Sequence, residues 1–307
     1  MIFNSQLFVA LGIFASTFAA PVADENGHQH IHAKRGGTCQ FPNYNGMVAV
    51  QTGGQNGGWA MSPDQTCSQG SWCPYACQPG QLMGQWDTSV TTYSYPGSQH
   101  GGLYCDNSGN LQKPNQNKDY CYDGAGTVSA QNSAGSDVAF CQTVLPGNED
   151  MLIPTNVGGG SNQVLAVPGP DYFASTAAHY YINPPGVSTQ DACQWGDQNH
   201  AQGNWAPYVA GANQQNNGDT FVKIGWNPIF TGSDLSHNKP NFGIKITCDD
   251  GNCDGLPCSI DPSKSSVNSV DSNQSSSGAG GGDFCVVTAK NGAHAKIEVF
   301  SAGEGGN

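Results

Sequence analysis

Cys67-Ser-Gln-Gly-Ser-Trp72-Cys73-Pro74-Tyr75-Ala76-Cys77 sets three cysteines and two aromatics within eleven residues. The stretch has neither a helical nor a strand period, so it reads as a loop-rich region held covalently. Further on come Gly101-Gly102-Leu103-Tyr104-Cys105 and Cys121. The chain has 12 cysteines in all, an even number, at 39, 67, 73, 77, 105, 121, 141, 193, 248, 253, 258 and 285. Zinc would require paired Cys-x2-Cys or Cys/His sets, and no Cys-x2-Cys occurs. The count implies disulfides, with open connectivity, and no metal or cofactor is expected.

The chain start agrees with an oxidising destination. Residues 7–20 are mostly apolar and shorter than a membrane span of about 20 residues. Thr17-Phe18-Ala19 offers the small-x-small pattern of a cleaved secretory signal, here residues 1–19. A polar pro-segment, 20–35, holds His28, His30 and His32 and ends in the dibasic pair Lys34-Arg35. The expected product is a single released or wall-held domain, 36–307, without a membrane partner.

Ten Lys and Arg stand against 23 Asp and Glu, for a net charge of −13. Arg35 is the single arginine, and it leaves with the pro-segment. An acidic surface without guanidinium groups repels phosphate backbones, so nucleic acid is excluded as a partner. Neutral Asn, Gln, Ser, Thr and Gly dominate the polar residues, which suits an uncharged, hydroxyl-rich polysaccharide.

Gly and Pro interrupt nearly every window, the punctuation of short strands and turns. Strands are expected at 47–50, 163–167, 177–182, 221–226, 242–247, 286–287 and 296–300, and a short helix around 138–143. The pattern predicts an all-β, disulfide-rich sandwich with long loops and little helix. The glycine run 158–162 reads as a loop. Residues 263–282, Ser/Gly-rich with the sequon Asn273-Gln274-Ser275, read as a flexible exposed insertion. Residues 248–307 read as a cysteine-containing extension.

Glycoside hydrolysis needs two carboxyl groups across the scissile bond, one of them protonated. Glu149 lies before the apolar Met151-Leu152-Ile153, a setting that raises a carboxyl pKa and suits a proton donor. Asp191 and Asp197, flanking Cys193 and Trp195, are candidate partners; Asp87 and Asp123 also stand beside aromatics. Aromatic faces stack on the C–H faces of sugars, which makes Trp72, Trp86, Trp195, Trp205 and Tyr208 candidate substrate contacts. No Gly-x-Ser-x-Gly elbow is present.

With these residues assembled, the chain resembles the SUN family of fungal cell-wall proteins, described as β-glucosidase-like or β-1,3-glucan-active. The resemblance rests on the dibasic site, Cys67-x5-Cys73-x3-Cys77 with Gln78-Pro79-Gly80, and Gly101-Gly102-Leu103-Tyr104-Cys105. It rests also on Leu145-Pro146-Gly147-Asn148-Glu149 and on Cys193-x-Trp195-Gly196 leading to Gly203-Asn204-Trp205-Ala206-Pro207. It spans roughly 36–247; the added cysteines beyond mark a variant subgroup. It implies a secreted, wall-associated protein with β-glucan as partner and a role in wall remodelling and cell separation; separately, a monomer is expected. Catalytic residues are not carried over from the family. At fold level the chain also resembles thaumatin-like proteins. Two functions follow: a β-glucan hydrolase, or a non-catalytic glucan-binding wall protein.

Overall fold

The computed structural model describes residues 37–44, 46–143, 145–147 and 152–303. The signal, the pro-segment and Glu149 lie outside the described residues. Two sheets make the body. The eight-stranded one runs Leu152–Val157, Val138–Thr143, Ala178–Ile182, Tyr208–Gln214, Thr220–Trp226, Asp283–Ala289 and Cys253–Asp254, with Ser275–Ser277 also on Asp283–Ala289. The six-stranded one runs Asn162–Val164, Val128–Ser133, Ala295–Ser301, Phe242–Cys248, Cys258–Ile260 and Asp271–Ser272.

Alternation explains how the sheets meet. Val222, Ile224 and Trp226 face inward from one sheet, and Ile244, Ile246, Ile297 and Val299 from the other, in one buried cluster. Tyr208 lies in the same cluster, edge-on to Trp226 and Phe242, with its hydroxyl donating to the Phe242 carbonyl at 2.8 Å. Cys258 on the six-stranded sheet is bonded to Cys285 on the eight-stranded sheet, so a disulfide crosses the core.

Two expectations are corrected. Residues 138–143 form a strand, not a helix. Val138 and Phe140 face the core, while Ala139 and Cys141 are buried on the opposite face beneath Ala192 and Cys193. A strand buried on both faces shows no polar alternation to read. Residues 263–282 are not an order-free insertion. Asp271–Ser272 and Ser275–Ser277 pair with core strands, Asn268 bonds the Gly281 carbonyl and the Asp283 amide, and Trp226 Nε1 donates to Ser269 O at 2.9 Å. Backbone pairing supplies the order that composition denies. Residues 248–307 enter both sheets, with the late strands where the sequence places them. Ala295–Ser301 lies between Val128–Ser133, which it pairs in parallel, and Phe242–Cys248.

The knot of Cys67 to Cys77 belongs to a cysteine-rich lobe of short strands. Cys67 closes on Cys73, Cys77 reaches Cys121, and Cys39 reaches Cys105. Tyr75 is fully buried there with its hydroxyl bonded to the Tyr120 carbonyl. Gly101 and Gly102 permit close backbone approach. A Cβ on Gly101 would overlap the Pro146 carbonyl, and one on Gly102, at φ +89°, the Cys73 carbonyl. Gly147 N donates to Ser98 O at 2.8 Å in the same place. The lobe is thereby docked on the segment that leaves the Val138–Thr143 strand.

The cross-core disulfide closes a span of 27 residues. Replacing both Cys258 and Cys285 with Ala is expected to cost about 3 kcal/mol of unfolding free energy. Denaturant melts would show a lowered midpoint; an unchanged midpoint would refute the role of a staple.

Candidate functional site

In the lobe, Ser71–Cys73 pairs with Leu103–Cys105 and sets Trp72 directly opposite Tyr104. Both side chains are half-buried. Trp72 stacks on His100 with ring centroids 5.7 Å apart and planes 17° apart, and it meets Tyr104 at 5.2 Å. His100 Nδ1 lies 3.1 Å from Asp87 Oδ2. The other Asp87 oxygen accepts from the Ser89 amide at 3.0 Å and the Ser89 hydroxyl at 2.6 Å. Partial burial works to raise the Asp87 carboxyl, but the bonds from Ser89 and His100 outweigh it and hold it below the usual range. The result is an aromatic surface with an imidazole fixed beside it by a carboxylate.

The second group is the loop carrying Trp195 and Trp205. Cys141–Cys193 ties it to the eight-stranded sheet. Gly196 N donates to Asn204 Oδ1 at 2.7 Å, and Gly203 N to Asn183 Oδ1 at 2.8 Å, which brings the two tryptophan positions into one folded loop. Trp195 is 41% exposed and Trp205 half-buried. Asp191 accepts from the Ser188 hydroxyl at 2.7 Å at the start of a helical turn, Thr189–Ala192. Asp197 accepts from the Asn199 amide at 2.7 Å and lies 3.3 Å from His200 Nδ1. The Asn199 amide holds the Asp197 carboxyl below its usual range, against a slight desolvation, and His200 adds to the effect.

Two expected contacts lie elsewhere. Tyr208 is fully buried in the sandwich core, out of reach of a polysaccharide. Trp86 is 7% exposed and fills a gap between Tyr172 and Phe173, with ring centroids 5.3 Å and 6.1 Å away. Both sit in sequence contexts indistinguishable from those of an exposed aromatic. His100 and Tyr104 are the residues that sequence reading passes over. The Tyr104–Trp72 pairing joins positions 32 apart, and only strand register reveals it. The clusters Cys39/Cys67/Cys105 and Cys248/Asp250/Cys253 have metal-like proximity. Their sulfurs are all in disulfides, which removes the thiolates a metal would need.

Against known families, the profile of Beta-glucosidase (SUN family) matches residues 34–287. The chain belongs to the SUN family. Among its relatives is "Uncharacterized protein YMR244W" of Saccharomyces cerevisiae, 67% identical across 97% of this chain and 86% of that protein. A second is "Probable secreted beta-glucosidase adg3" of Schizosaccharomyces pombe, 54% identical over 87% of this chain but 24% of that protein. A third is "Probable secreted beta-glucosidase UTH1" of Saccharomyces cerevisiae, 36% identical over 72% of this chain and 61% of its own length. This SUN chain thus spans a minor part of the second relative and most of the first. No solved structure matches it.

The Asp87 carboxyl titrates below its unfolded value of about 3.9. Its bonds to Ser89 and His100 therefore stabilise the fold fully above that value, and the contribution is lost as pH falls through the lower folded value. Asp87→Asn is expected to be less stable than wild type near neutral pH, with the gap closing at strongly acidic pH. Urea melts across pH check this; a gap that stays constant would refute it.

Proposed function

We propose that this SUN-family chain is a secreted cell-wall protein that engages β-glucan through the Trp72–Tyr104 surface and the Trp195–Trp205 loop. The observation that carries the reading is the half-buried Trp72 stacked on His100, itself held by Asp87. Such a surface offers an aromatic face to a sugar ring and polar groups to its hydroxyls. Relatives named as probable secreted beta-glucosidases and the disulfides of the described residues support secretion and a glucan partner. The role we assign is wall remodelling and cell separation, by a monomer. In that reading the signal 1–19 is removed, processing follows Arg35, and Asn273, exposed in the turn between Asp271–Ser272 and Ser275–Ser277, carries an N-glycan.

Hydrolysis of β-1,3-glucan is the enzymatic form of the proposal, with Glu149 as proton donor and Asp191 or Asp197 as partner. A non-catalytic binder is the second reading, and one observation favours it. At the Trp72 surface the Asp87 carboxyl is held below its usual range, which suits it to accept hydrogen bonds from sugar hydroxyls and not to donate a proton.

Purified mature protein with linear β-1,3-glucan separates these forms. Release of reducing ends, lowered about 10²- to 10⁴-fold in Glu149→Gln, is the expected enzymatic outcome. Binding without turnover would leave the binder. In pull-downs, Trp72→Ala and Trp195→Ala are each expected to weaken glucan binding roughly tenfold, about 1.4 kcal/mol. Undiminished binding in both variants would sink the aromatic-surface assignment.

A further inference from the structure

The outward face of the eight-stranded sheet carries a cluster that the glucan reading leaves unused. His179 pairs with Gly211, and Gly211 with Lys223, in one row across three strands. Their chain neighbours Tyr180, Ala210, Ala212, Val222 and Ile224 face the core, so alternation turns this row to the other side of the sheet. Gly211 leaves a gap in the row. An added Cβ there would meet only the Ala178 carbonyl oxygen, at 3.4 Å.

The chemistry around that gap is unbalanced. Lys118, Lys245, Lys264, Lys290 and Lys296 each have a carboxylate partner. Lys239 donates to the Pro262 and Ser265 carbonyls. The half-buried Lys223 has no hydrogen-bond acceptor among the described residues; its ammonium sits 3.9 Å from the centroid of the Phe284 ring. Burial pushes the Lys223 ammonium below its ordinary pKa. Burial, and then the Lys223 charge, push His179 down to about 4. Two residues beyond Gly211, Asn213 shares the outward face. It is 8% exposed, and its Oδ1 has no hydrogen-bond partner. An ammonium without a counter-charge among the described residues and a buried amide oxygen without a donor each carry a cost that a ligand would relieve.

We propose that the Gly211 row is a binding site for an oxyanion carried on a hydroxylated carbon skeleton, such as a sugar phosphate or a sugar carboxylate. The oxyanion would sit over Gly211 against the Lys223 ammonium and beside His179. A neighbouring hydroxyl would bond the Asn213 amide, whose oxygen and nitrogen can exchange places to match donor or acceptor. The Phe284 ring would wall the site on the side of Lys223. In a chain of net charge −13, this is a local reversal of sign. The site is independent of the Trp72 surface, so it stands or falls apart from the glucan reading.

Calorimetry of the full mature chain with glucose 6-phosphate and with glucuronate, and with glucose as neutral control, tests it. Saturable binding of either acidic sugar but not of glucose is expected. The phosphate arm and the carboxylate arm distinguish the source of the anion. Lys223→Met, which keeps the stem against Phe284, is expected to weaken that binding at least tenfold. Absence of saturable binding up to about 10 mM, or equal affinity in Lys223→Met, overturns the proposal. A measurement on the unaltered protein guards against misfolding of the variant. The bound acidic sugar should slow acetylation of Lys223 at least tenfold by peptide mass spectrometry while leaving exposed Lys264 unaffected. Equal labelling of Lys223 with and without the sugar also overturns it.

Discussion

The core between the two sheets closes only when the last strands of the chain enter it. Ala295–Ser301 is the bridge between Val128–Ser133 and Phe242–Cys248 in the six-stranded sheet. Asp283–Ala289 is the partner of Thr220–Trp226 in the other. Val287, Ile297 and Val299 fill the inner layer beside Ile224 and Ile244. Remove those strands, and Val128–Ser133 loses its parallel neighbour while apolar surface from both sheets faces water, a loss of about 25 cal/mol per Å². The Cys258–Cys285 bond fixes this closure covalently. The last strands of the chain are therefore central to the fold.

The cysteine-rich lobe solves a different problem. Its strands are two or three residues long, too short to stand as a sheet in water. Disulfides replace the missing ladder, and buried Trp59 and Tyr75 fill the interior with their polar atoms bonded to the Cys39 and Tyr120 carbonyls. That rigidity lets Trp72 and Tyr104 remain half-exposed on adjacent strands without collapsing inward. The glycine pair at 101 and 102 brings the lobe against Pro146, so the same contact that holds the lobe also positions His100.

Some of this is legible in the residues themselves. The strands at 221–226 and 242–247 can be read because one face is apolar and the other mixed, as in Phe221-Val222-Lys223-Ile224. The strand at 138–143 cannot, because both of its faces are covered and the pattern of Val-Ala-Phe-Cys carries no period. The order in 263–282 also escapes reading, since it depends on backbone hydrogen bonds to strands that arrive from elsewhere in the chain. Among the candidate contacts, Trp195 and Tyr208 look equally suited to a sugar. One is 41% exposed and the other is sealed between Trp226 and Phe242.

The sequence by itself determined the compartment, the all-β class, the disulfide chemistry and the family, because these follow from composition and from motifs whose meaning is local. Tertiary structure alone decided which cysteines pair, which aromatics reach the surface, and which polar groups meet. The knot at Cys67 to Cys77 shows the division. Its spacing marks the family, yet Trp72 meets Tyr104 only because the register of a distant strand sets the two opposite, and a glycine turn delivers His100 to its face. The same holds for His179 and Lys223, 44 residues apart, which become neighbours only through strand pairing.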